Sequence, residues 1–253
     1  MKVVASNSKT SQENDLTLAP IANVRLFSEL MDRVVNRDPR LPGLATFHGF
    51  SGFGKTWAAT KGANFHRAYY LEAGESWGRV KFLKSLSVEL GLEPKGTIGD
   101  MVDPIIEVLG QSQRPLIIDE ADYVFSRKYH ELLREIHDKS CSPIILIGEE
   151  LLPSKIAGIS ERFHNRVYDW VEARPADQKD VELLAKLYCK NVQVKPDLLD
   201  RLLKLSDGRV RRICVNLLRV NEYAKVSRID AIGLAEWGDR ELFSGRQPPR
   251  RAA

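Results

Sequence analysis

Cysteine is scarce and scattered. The three cysteines, Cys141, Cys189 and Cys214, form no C-x-x-C pair and no cysteine–histidine spacing. That argues against a disulfide framework or a structural zinc site. The five histidines, His48, His66, His130, His137 and His164, are spread without ligand spacing and take no catalytic role. No apolar run reaches the roughly 18 residues of a membrane-spanning helix. The polar opening, Met1 to Pro20, lacks the apolar core of a secretory leader. The expectation is a cytoplasmic protein with no membrane partner. No internal repeat is visible.

What the chain has is an ordinary globular composition with an uneven charge. Of 253 residues, 43% are hydrophobic and 28% charged, and the formal net charge is +4. Residues 174–253 hold 17 basic against 11 acidic side chains, whereas residues 1–173 hold 21 against 23. A basic last third is compatible with nucleic acid, although solvated helix faces are also often rich in lysine and arginine.

The periodicities change once along the chain. Residues 1–15 are polar and aperiodic and read as disordered. Apolar residues at 21, 24, 27, 30, 31 and 34 recur at helical spacing. Short apolar strands are then predicted at 44–48, 67–72, 115–119, 143–148 and 167–171. Helices are predicted between them, over 55–61, 77–90, 101–109, 129–138 and from about 151 to 166. Buried strands alternating with helices imply α/β architecture, a parallel sheet covered on both faces. After Arg174-Pro175 the pattern becomes helical only, with helices over 177–191, 196–205, 210–223 and 229–237. Asp177 is the expected cap of the first, and Ile213, Val215, Leu217 and Leu218 the expected core of this part. The domains are therefore drawn as a disordered segment at 1–15, an α/β nucleotide-binding domain at 16–174, a helical domain at 175–243 and a loose basic tail at 244–253.

Two motifs carry chemistry. Gly49-Phe50-Ser51-Gly52-Phe53-Gly54-Lys55-Thr56 is a complete G-x-x-x-x-G-K-[ST] loop, preceded by a predicted strand and followed by a helix. Its glycines let backbone N–H groups wrap a phosphate. Lys55 would reach the β- and γ-phosphates of ATP, and Thr56 would ligate Mg²⁺. The strand Leu116-Ile117-Ile118-Asp119-Glu120 ends in a pair of acids. Asp119 would hold Mg²⁺ through water, and Glu120 would orient or deprotonate the attacking water.

The order of P-loop, Asp119-Glu120, a further strand, an arginine-bearing helix end and a helical lid resembles the AAA+ ATPases over residues 20–240. The resemblance implies a five-stranded parallel sheet flanked by helices and followed by an all-helical lid. It also implies three site features. The first sensor position falls at Glu149, where the usual Asn, Thr or Ser is absent. An arginine acting on a neighbour's ATP is Arg162 or Arg166, with Arg166 preferred. A second-sensor arginine in Ser206-Asp207-Gly208-Arg209-Val210-Arg211-Arg212 is Arg211, with Arg212 next.

Within that family, Ala19-Pro20-Ile21-Ala22-Asn23-Val24, the P-loop stretch from His48 and Ala173-Arg174-Pro175-Ala176-Asp177-Gln178-Lys179-Asp180-Val181 resemble the transposition-helper ATPases typified by the phage Mu transposition protein B. Membership would imply ATP-dependent, largely sequence-independent binding of double-stranded DNA. It would also imply assembly with itself into filaments, and presentation of target DNA to a transposase. Residues before the core are too few for that protein's N-terminal helix-turn-helix module, so DNA contact would fall to the core. Arg79, Lys81, Lys84, Arg127 and Lys128 are the candidates, each with a solvated helix face as its plain alternative. Arg246, Arg250 and Arg251 would form a tail gripping DNA or partner, or one that only solubilises. The rival readings are a replication-type AAA+ protein (initiator or helicase loader), a regulatory ATP-binding module with little turnover and, third, a small-molecule kinase.

Overall fold

The computed structural model describes residues 19–245. The expected disordered segment at 1–15 and Arg246, Arg250 and Arg251 of the tail lie outside the described residues. By its internal contacts the chain divides into two units. One holds residues 23–51 and 55–173; the other holds 19–22, Gly52–Gly54 and the chain from Arg174 onward.

The first unit opens with α1 (Ala22–Val35), β1 (Leu44–His48), α2 (Lys55–His66), β2 (Tyr69–Glu72), α3 (Arg79–Glu89) and α4 (Ile98–Ser112). It continues with β3 (Leu116–Asp119), α5 (Asp122–Ser126), α6 (His130–Ser140), β4 (Ile144–Gly148), α7 (Leu152–Ile159), α8 (Glu161–His164) and β5 (Val167–Glu172). All five strands are parallel, in the order β2-β3-β4-β1-β5. The expected five-stranded parallel sheet flanked by helices is therefore the observed one. The buried strands β3 and β4 have no polar residue before their final positions, because both faces are covered.

Strand alternation divides the apolar side chains between the two faces. Leu44, Leu71, Leu116, Ile118, Ile144 and Leu146 join one core with Phe82, Leu86, Ile105, Leu133 and Phe163 from the helices. The opposite face meets α1 and α2, with the Phe27 and Phe47 rings 5.2 Å apart, edge to face. Asp119 falls on this second face by the same alternation, since it follows Ile118.

Several boundaries differ from the sequence expectation. Helix α2 continues to His66 and stops when Arg67 turns left-handed, φ 52°, so β2 begins at Tyr69 instead of 67. The helix expected over 151–166 breaks at Ser160, whose hydroxyl accepts from Phe163 N at 3.2 Å and starts α8. A further short helix, α5, directly follows the acidic pair.

The second unit contains α9 (Gln178–Tyr188), β6 (Gln193–Val194), α10 (Pro196–Ser206), α11 (Val210–Ser227), β7 (Ala231–Ile232) and α12 (Leu234–Trp237). It is not all-helical: β6 and β7 pair in parallel, and the helix expected over 229–237 is a strand followed by one turn. The backbone of Gln193 and Lys195 donates to Asp230 and Ile232, a pairing between residues far apart in sequence. Asp177 does cap α9, accepting from Asp180 N at 2.9 Å, while the Asp180 carboxylate accepts from Asp177 N. In α11 the buried stripe is Val210, Ile213, Asn216, Leu217, Val220 and Ala224. Val215 is half-buried and Leu218 is exposed, because the 3.6-residue period carries them off that stripe. Buried Asn216 is satisfied by Phe243, donating to its carbonyl at 2.9 Å and accepting from its N–H at 2.7 Å.

Gly62 is buried in α2, and a Cβ there would lie 2.5 Å from the Phe27 ring. Replacing a helix glycine by alanine ordinarily stabilises by about 1 kcal/mol. Here the Phe27 ring is buried edge to face against Phe47, so it would have to shift within the core. Gly62→Ala is expected to destabilise by about 1–3 kcal/mol, read as a lowered urea midpoint at unchanged slope.

Candidate active site

Strand β1 delivers the chain into the loop 49–54, and α2 leaves it at Lys55. Gly49, Gly52 and Gly54 have φ values of 150°, 87° and 86°, conformations that a side chain disfavours. Lys55 folds back over the loop, its ammonium donating to the carbonyls of Gly49 at 2.6 Å and Phe50 at 3.1 Å. Burial pulls the Lys55 pKa down, while Asp119, Glu120, Glu149 and Asp122 oppose that shift by favouring its charge.

Asp119, only 3% exposed, closes β3. Its Oδ2 accepts from the Thr56 hydroxyl at 2.9 Å and from the Tyr70 hydroxyl at 2.7 Å; its Oδ1 accepts from Glu120 N at 2.9 Å. Thr56 stands on the first turn of α2 and Tyr70 on β2, so three separate segments meet at one carboxylate. Burial first, and then Asp119, pushes the Tyr70 phenol up, which keeps it a donor.

Glu120 has left-handed backbone, φ 54°, a sparsely populated conformation for a residue other than glycine. Burial, then the Asp119 and Asp122 charges, raises its carboxyl pKa, with Lys55 pulling the other way. Asp122, buried at the start of α5, accepts from Glu149 N at 2.7 Å and from the Lys155 ammonium at 2.5 Å. This carboxylate therefore holds the backbone just past β4, while Glu149 itself is exposed. His48, ending β1, has its Nδ1 3.2 Å from the Thr46 hydroxyl and is driven towards its neutral form by burial.

The two candidate arginines near β5 are placed differently. Arg166 donates to Asp138 at 2.6 Å and to the Arg162 carbonyl at 2.8 Å, so its guanidinium is turned onto its own chain. Arg162 is exposed on α8. In the second unit, Arg211 N donates to the Gly52 carbonyl at 3.2 Å, and the Arg209 guanidinium lies 5.8 Å from the centre of the Phe53 ring. The Arg211 side chain is exposed.

Arg79, Lys81, Lys84, Arg127 and Lys128 are all exposed. They follow the C-terminal ends of β2 and β3, which pair with Glu72 opposite Asp119. Lys81 stands 5.6 Å from the Trp77 ring centre, and Arg127 is 3.9 Å from Glu75.

The loop, the amine of Lys55 and the Thr56–Asp119 pair fit a nucleotide phosphate chain with a hard divalent cation. Sequence reasoning missed Tyr70, Asp122 and Lys155. Asp122 had a signal, lying three residues after Asp119 in an acidic run interrupted only by Ala121. Tyr70 had none, since its role depends on strand pairing.

Residues 38–156 match the family model described as AAA domain. The whole architecture is similar to solved structures of the P-loop AAA+ fold. Against the Aeropyrum pernix ORC2 protein in its ADP form, the TM-score is 0.68 at 15% identity, over 85% of this chain and 67% of that one. Against the Aeropyrum pernix ORC1 protein in complex with DNA, it is 0.59 at 17% identity, over 83% and 61%. Against a mutant of Thermotoga maritima RuvB, it is 0.57 at 18% identity, over 84% and 67%. This chain thus spans about two thirds or less of each. A comparison with curated protein sequences finds no match.

Proposed function

We propose that this chain, with its AAA+ fold, is an ATP-hydrolysing protein that binds double-stranded DNA under the control of its nucleotide. The observation that carries the reading is the hydrogen bond between Thr56 and Asp119, which joins the P-loop to the acidic strand. Lys55 would bind the β- and γ-phosphates, and Thr56, with Asp119 through water, would hold Mg²⁺. Bound Mg²⁺ supplies charge neutralisation at the phosphates. Glu120 would orient the attacking water, and its raised pKa suits a base. Glu149 is assigned the first-sensor position and Arg211 the second. The Arg166–Asp138 pair supports Arg162, not Arg166, as the arginine offered to a second copy of the chain.

DNA is supported by the exposed basic group Arg79, Lys81, Lys84, Arg127 and Lys128, which suits phosphate contacts without sequence reading. The likeness to the ORC1 and ORC2 proteins favours a replication-type role, as initiator or helicase loader. The second reading, presentation of target DNA to a transposase, rests on the stretches 19–24, 48–56 and 173–181. Electron microscopy with duplex DNA distinguishes them. Continuous filaments in ATP but not ADP support the transposition reading; discrete complexes support the replication reading. DNA binding by Lys55→Ala with an unchanged ATP response would overturn nucleotide control.

Two variants test the assigned chemistry. Glu120→Gln is expected to slow ATP turnover on the order of 100-fold while retaining nucleotide, measured by phosphate release and fluorescent-nucleotide binding. Arg162→Ala is expected to lower turnover of the assembled protein on the order of 1,000-fold. Arg166→Ala should instead lower stability by no more than about 1 kcal/mol, because its ion pair is partly exposed. The reverse pattern in the same assays would assign the trans role to Arg166.

A further inference from the structure

Tyr70 lies outside both sequence motifs, yet its hydroxyl donates to the Asp119 carboxylate at 2.7 Å, closer than the hydroxyl of Thr56 at 2.9 Å. It stands opposite Ile117 in the β2–β3 pairing, two residues before Asp119. Paired residues of parallel strands share a face, so the phenol reaches diagonally along that face to the carboxylate. Its backbone is fixed as well, with Tyr70 N donating to the Glu89 carboxylate at 3.0 Å. Thr56 donates to the same Oδ2, and Glu120 N occupies Oδ1.

We propose that Tyr70 is a positioning residue for the divalent cation: its hydroxyl locks the Asp119 carboxylate in the orientation that receives the metal's water shell. The proposal rests on the nucleotide-site reading above. The physical need is specific. A carboxylate that acts through water has to hold its direction without a direct bond to the metal, so its own partners set that direction. Thr56 does not set that direction independently of the metal, because its hydroxyl oxygen is itself assigned to the metal. The Glu120 N–H is a neighbour in sequence on a left-handed residue and constrains only Oδ1. Tyr70 is the donor on a separate strand, independent of the loop and of the metal. Tyr70 is half-buried and Asp119 buried.

The test is Tyr70→Phe, which keeps the ring and removes only the hydroxyl. Binding of a fluorescent ATP analogue is titrated with Mg²⁺, and separately measured in EDTA. The expected result is an increase on the order of tenfold in the half-saturating Mg²⁺ concentration, with nucleotide affinity in EDTA and thermal midpoint unchanged. An unchanged Mg²⁺ midpoint overturns the proposal. So does an equal loss of affinity with and without metal, which would mean that the hydroxyl only supports the fold of the loop. Tyr70→Leu, which also removes the ring, separates ring from hydroxyl: a Mg²⁺ shift in Leu but not Phe likewise overturns the role given to the hydroxyl. Wild-type protein binding no nucleotide with or without Mg²⁺ would overturn the nucleotide-site reading itself, whereas wild-type binding that does not respond to Mg²⁺ would overturn the proposal alone.

Discussion

The site depends on one buried carboxylate. An ionised Asp119 taken out of water carries a desolvation cost of several kcal/mol, and that cost is tolerable only when its oxygens are hydrogen-bonded. Three donors meet that requirement: the hydroxyls of Thr56 and Tyr70 and the amide of Glu120. Each comes from a different segment, α2, β2 and the turn after β3. The first turn of α2, which follows the phosphate loop, the edge of the sheet and the acidic turn are therefore registered against each other. Sheet order makes this possible. With β4 between β1 and β3, the loops leaving β1 and β3 flank the end of one strand, where Gly49 N donates to the Gly148 carbonyl.

Around that carboxylate the charges are unbalanced. Asp119, Glu120, Asp122 and Glu149 all act electrostatically on the single amine of Lys55. Burial first, and then the Asp119 and Asp122 charges, raise the Glu120 carboxyl pKa. Asp122 is compensated by Lys155 and by the Glu149 amide, so it serves as a strut that sets where the chain leaves β4. The left-handed backbone at Glu120 adds a locally unfavourable conformation held in place by its neighbours.

Gly52–Gly54 belong to the second unit by contact, and Arg211 reaches Gly52 with its N–H while its guanidinium stays exposed. The unit is closed by the reciprocal amide pair of Asn216 and Phe243, which satisfies a polar side chain inside an apolar helix stripe. The arginines at the end of α8 are sorted by a similar local rule. Asp138 captures Arg166, and the exposed Arg162 next to it is the one left to face outward.

Local pattern by itself determined the parallel α/β core and marked the glycine-rich loop at Gly49–Thr56 and the acids Asp119 and Glu120 as the candidate site. Each of these is written in contiguous residues: buried strands as apolar runs, the loop as its glycines and lysine. The change to a helical pattern after Arg174 was legible for the same reason, as was the Asp177 cap. The two-residue pairing of β6 with β7 was not, because it joins positions nearly forty residues apart through backbone alone. Ser160 as a break, Leu218 as an exposed position and Arg166 as a captured arginine depended on helix phase and on a partner distant in sequence. Tyr70 is the clearest case. A tyrosine in a strand carries no signal of its own, and only the parallel register of β2 with β3 brings its hydroxyl to Asp119. Chemistry that depends on neighbouring residues can be read along the chain; chemistry that depends on register is decided by the sheet.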